Sequence, residues 1–147
     1  MLISEKVSFG QQFSKLVLPD DWISITIKGI EYRAQIWQDN HYNIDDDDCH
    51  NPDQKVTGCS PAQQLKLLEA RAAYARGDWF YCGIVVSAHF GAITLDKHAA
   101  SLWGIEANYP GTKNEYLNQV ADELLLEAIP LAEAELDSIV KAACDRR

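Results

Sequence analysis

The chain has 147 residues and a formal net charge of −9. It is long enough for one domain with a real core, spanning 1–147, and its acidity excludes the basic stripe that a direct nucleic-acid binder needs. With no run of about 18 apolar residues, no signal-peptide pattern in MLISEKVSFGQQF and no C-x-x-C pair among its four cysteines, a cytoplasmic protein with reduced thiols and no membrane contact is expected.

Residues 1–18 mix apolar and polar side chains without a firm period, and no element is assigned to them. From Trp22 to Ile27 the pattern alternates. Lys28-Gly29 can make a tight turn, and Ile30 to Trp37 alternates again, so this stretch predicts a β-hairpin. Residues 38–59 form a polar, acidic loop. Its run Asp45 to Asp48 cannot sit in a core, and residues 39–56 are expected to be exposed and without regular structure.

Ser60-Pro61-Ala62-Gln63 opens a helix with a capping box and proline at the first position. It should run to Arg76, with Leu65, Leu68, Ala72 and Ala75 on one stripe and Gly77 as its stop. Trp79 to His89 is apolar on both faces and rich in β-branched and aromatic residues. It reads as an inner strand, with Gly83 marking a bulge or a close backbone approach. Phe90-Gly91-Ala92 turns the chain into a shorter strand, Ile93 to Asp96, and Ser101 to Ile105 adds another. Asn114 is placed to cap a helix carrying Leu117, Val120, Ala121, Leu124 and Ala128 at helical spacing. Pro130 predicts a break near Ile129 before a last helix to Ala143. The fold class is therefore α+β: an antiparallel sheet of four or five strands with helices packed on it, in the order ββ-α-βββ-αα.

Three stretches also resemble a known family. WFYCGIVV (Trp79 to Val86), SLWGIE (Ser101 to Glu106) and YLNQVADEL (Tyr116 to Leu124) are similar to segments of small phage and prophage proteins. That family has no assigned activity, so the resemblance carries over no catalytic residue. It implies a viral or mobile-element origin and a place inside the host cell.

No catalytic signature stands out, and no pattern requires a cofactor. His41, Asp45 to Asp48, Cys49, His50 and Asp53 are potential metal ligands, but their spacing fits neither a calcium loop nor a closed zinc motif, and a solvated acidic loop explains them. His89 and His98 flank the central hairpin turn with no nucleophile placed beside them by any motif. Cys82 reads as a buried thiol, and Trp79 and Trp103 as core or interface anchors.

The charge is uneven. Residues 38–56 hold six acids and one lysine, and residues 115–140 hold seven acids and no base. Like charge without partners costs stability, so the negative face is expected either to bind a positive partner or to keep a small protein soluble, and a binding protein is the expected function. Asp45, Asp46, Asp47, Asp48, Glu123, Glu127, Glu133 and Glu135 are the expected partner-binding residues. The partner would be a host protein with a basic surface, and one candidate is a defence protein whose nucleic-acid groove the acids imitate. The alternatives are a divalent-metal enzyme using the Asp45 to Asp53 loop, and a homodimeric assembly protein associating through an apolar helix face.

Overall fold

The computed structural model describes residues 7–46 and 60–146. Four strands form one antiparallel sheet in the order of the chain: β1 (Trp22–Ile27), β2 (Ile30–Gln38), β3 (Phe80–Phe90) and β4 (Ile93–Ala107). The described residues also form two α-helices, α1 (Pro61–Ala75) and α2 (Glu115–Asp145). This is the α+β class the sequence predicts.

The hairpin forms because Lys28 and Gly29 both take positive φ, 50° and 82°, as a turn matched to strand twist requires. It pairs Ile27 with Ile30 and Trp22 with Gln35. Strand β3 is interior, bonded to β2 on one side and β4 on the other. Its alternate residues face two separate clusters. Cys82, Ile84, Val86 and Ala88 face the main core with Tyr32, Ala34, Ile36 and the buried stripe of α2. Tyr81 faces the opposite way and joins Trp79, Ala73 and Ile44 in a smaller cluster under α1. The two helices therefore lie on opposite faces of the sheet.

Two elements predicted as broken are continuous. Ile93–Ala107 is one strand of 15 residues, not two short ones. Its surplus over β3 is absorbed in three irregularities: Trp103 and Gly104 together oppose Gly83, Lys97, His98 and Ala99 oppose Ser87, and Leu95 is extra between the partners of Ala88 and His89. Helix α2 likewise runs through Pro130. Proline removes the bond to the Leu126 carbonyl, but both residues are exposed, so water reaches that carbonyl. Burial of Leu124, Leu125, Ala128 and Ala132 around it offsets the cost.

The capping box of α1 is present: Gln63 N donates to Ser60 Oγ at 3.2 Å, and Ser60 N donates to Gln63 Oε1 at 2.9 Å. Its buried residues, however, are Ala70 and Ala73, while Leu65, Leu68, Ala72 and Ala75 are exposed. Small residues let the helix approach Trp79, whose indole N–H donates to the Ala70 carbonyl at 2.7 Å.

The segment 7–18 has no regular structure, yet it is tightly held. Phe9, Phe13 and Val17 are buried in the main core. Their amides donate to Asp122 Oδ1, Asn118 Oδ1 and Asn108 Oδ1 at 3.0, 2.7 and 2.7 Å. Asn114 is the first residue before α2, but its side chain does not cap the helix. It is buried, and donates instead to the carbonyls of Ser14 and Lys15 and accepts the Asn108 amide. Glu115 takes over at the helix start by accepting the Lys113 amide. That bond, with one from its own amide, lowers its carboxyl pKa.

Candidate functional site

Helix α2 covers one face of the sheet. Among the described residues the other face is covered at one end, by α1 and the segment after β2. Asp39 anchors that segment: its Oδ1 accepts the amides of His41 and Tyr42, and its Oδ2 accepts the Gly104 amide across the sheet. Tyr42 and Ile44 then dock beside Tyr81, and Ile44–Asp46 forms a 3-10 turn. The described part of the acidic loop is thus ordered, against the expectation of an irregular exposed segment, because Ile44 and Tyr42 find apolar contacts.

Beyond this wall the face is open, and it gathers aromatic side chains. Trp22 on β1, Trp37 on β2 and Trp103 on β4 are 51%, 41% and 44% exposed. Trp103 reaches over Gly83, where a Cβ would stand 2.2 Å from its ring, so the indole lies on bare backbone. Trp37 meets Trp103 edge to face at 6.4 Å and His98 at 5.7 Å between centroids. The Arg33 guanidinium sits 4.8 Å over the Trp22 ring and bonds Glu31 at 2.8 Å. The bulge opposite Ser87 brings Lys97 and His98 to the same face. A depression of about 280 Å³ lies among Arg33, Trp37, Ser87, His89, Lys97 and His98.

Within it Ser87 Oγ is 2.9 Å from His89 Nε2. Sequence reasoning saw no nucleophile beside His89. The signal was available, since residues two apart on a strand share a face. No carboxylate among the described residues bonds the second ring nitrogen of His89. Glu31 is opposite in register but is taken by Arg33. The pair therefore lacks the orienting acid of a nucleophilic triad.

The predicted acidic residues are not brought together. Asp45 and Asp46 lie on the α1 face, and Asp45 pairs with Arg71. Asp47, Asp48, Cys49, His50 and Asp53 are outside the described residues. Among the described residues no group of three His, Cys, Asp or Glu side chains could hold a metal ion. On the far face, Glu123, Glu127, Glu135 and Asp137 are exposed along α2, while Glu133 is half-buried and turned toward Tyr32, whose hydroxyl pKa rises through burial and through that carboxylate. Asp122 is spent on the Phe9 amide. Interspersed with the acids, Leu126 and Leu131 are 51% and 53% exposed.

Cys82 is fully buried, and burial followed by the Asp39 charge pushes its thiol up to about 12, so it is no nucleophile. Trp79 belongs to the small core and Trp103 to the open face. No helix among the described residues is long and apolar enough to cross a membrane. No family model, curated protein or solved structure matches the chain.

Proposed function

We propose that this chain is a binding protein that docks a positively charged protein surface on the outward face of α2. The observation that carries the reading is the placement of Leu126 and Leu131, each about half exposed, among Glu123, Glu127, Glu135 and Asp137. Apolar anchors ringed by charge of one sign are the make-up of a contact surface rather than of a merely solvated helix. Along the helix only Lys141 stands within one turn of these acids, four residues from Asp137, and no ion pair among the described residues takes them up. The finer reading is that of a phage-derived protein that imitates nucleic acid and occupies a basic groove on a host defence protein. It rests on the segment resemblance together with this surface. Asp45 and Asp46 have no part in the contact, since they lie on the other face of the sheet.

The test is capture from host lysate by the immobilised chain at moderate salt, beside a variant with Glu123, Glu127, Glu135 and Asp137 changed to Gln or Asn. A partner retained by the parent chain and lost from the variant supports the reading. Exposed charges are screened over about 10 Å at 0.1 M salt, so its association rate should fall as salt rises. Retention indifferent to both changes removes α2 as the contact surface.

A further inference from the structure

We propose that the open face of the sheet pairs with the same face of a second copy, giving a two-fold dimer in which two four-stranded sheets stack. The face presents three half-exposed indoles in a band across β1, β2 and β4, and exposed apolar patches of this kind mark interaction sites. Charge selects the occupant. The chain carries −9 overall, and the acids of α2 lie on the opposite side of the sheet. Two copies that meet at their open faces keep these helices apart, and on the near side Asp45 is paired with Arg71. That face holds both signs, Glu31 beside Arg33 with Lys97 lining the same depression, so it can be matched to itself under a two-fold axis. A nucleic acid would need a uniformly positive surface, which this is not.

Size agrees. Three indoles of up to about 250 Å² each, near half exposed, offer on the order of 350 Å² per copy. With the neighbouring side chains, two copies bury on the order of 1,000 Å², where specific interfaces begin. Stacked sheets settle about 10 Å apart, room for one layer of interdigitated side chains. In such a dimer both α2 helices face outward, so the docking surface proposed above is displayed twice, though the dimer does not depend on that proposal.

Sedimentation equilibrium of the full chain tests this. The expected result is a concentration-dependent species of twice 16.5 kDa. Trp37→Glu and, separately, Arg33→Glu should each weaken self-association at least tenfold, while Leu126→Ala leaves it unchanged. The second variant keeps every indole, so a fold lost through Trp37 does not decide the outcome. Raising salt from about 0.05 to 0.5 M should tighten the dimer, because screening relieves repulsion between like-charged copies. A monomer at all concentrations up to roughly 100 μM overturns the proposal. So does a dimer that ignores both face variants or is lost with Leu126→Ala. A monomer whose tryptophan fluorescence is quenched by a twelve-residue oligothymidylate assigns the face to single-stranded nucleic acid and equally overturns it.

Discussion

The indole of Trp103 lies on the backbone of Gly83, the interior residue of the central strand where a side chain is missing. A Cβ there would stand 2.2, 2.4 and 2.7 Å from three ring carbons, closer than any packed contact allows. The glycine is thus the seat of the tryptophan, and the two-against-one bulge of Trp103 and Gly104 aims the ring at it.

Gly83→Ala should therefore lift Trp103 off the sheet. The expected cost is about 1–3 kcal/mol, the usual penalty of overpacking, read as a fall in the urea midpoint. Tryptophan emission should shift to the red as the ring enters water. An unchanged spectrum with unchanged stability would show that the ring has another resting place.

The bulges also explain what could and could not be read from the chain. The first hairpin was legible because alternation from Trp22 to Trp37 is unbroken and Lys28-Gly29 supplies its turn. The same rule failed on Ile93–Ala107, since each bulge inserts residues that reset the period and make one strand look like two. The helix stripe of α1 was misplaced because alanines, not leucines, face Trp79. The open face itself was hidden. Trp22, Trp37 and Trp103 come from three strands, and only the register of the sheet shows that they share a side.

Residues 7–18 were illegible for a different reason. The amides of Phe9, Phe13 and Val17 are satisfied by side chains 113, 105 and 91 positions away. Asn118 and Asp122, one turn apart on α2, receive the amides of Phe13 and Phe9, four residues apart on the segment. Asn118→Ala leaves the Phe13 amide without its acceptor in a partly buried place. The expected loss is about 1–3 kcal/mol. Limited proteolysis within 7–18 should speed up in this variant. Cleavage no faster than in the parent chain would mean that Phe9, Phe13 and Val17 hold the segment by burial alone.

Tyr32 offers the opposite case. Its ring is fully buried and its hydroxyl has no hydrogen-bond partner among the described residues. Tyr32→Phe removes a desolvated polar group and keeps the ring, so stability should rise by about 1 kcal/mol. Thermal unfolding measures it. A lower melting temperature would reveal that the hydroxyl is satisfied after all.

Alkaline pH should expose Cys82. Its thiol stays protonated in the folded chain up to about 12, through burial first and the Asp39 carboxylate second, against an ordinary value of 9.0 once unfolded. Above pH 9 the unfolded chain has released that proton and the folded chain has not. The folded state then binds more protons, so stability falls as pH rises from about 9 to about 12. Tyr32, also raised, adds a loss of the same sign above its ordinary 10.0. Cys82→Ala should lower stability at neutral pH, because a small cavity replaces the sulfur. It should also flatten the decline between pH 9 and 10, where Tyr32 does not yet contribute. Urea unfolding at pH 7, 9 and 10 on both chains gives the two slopes. Parallel slopes would mean that the thiol ionises alike in both states, and that burial does not hold its proton.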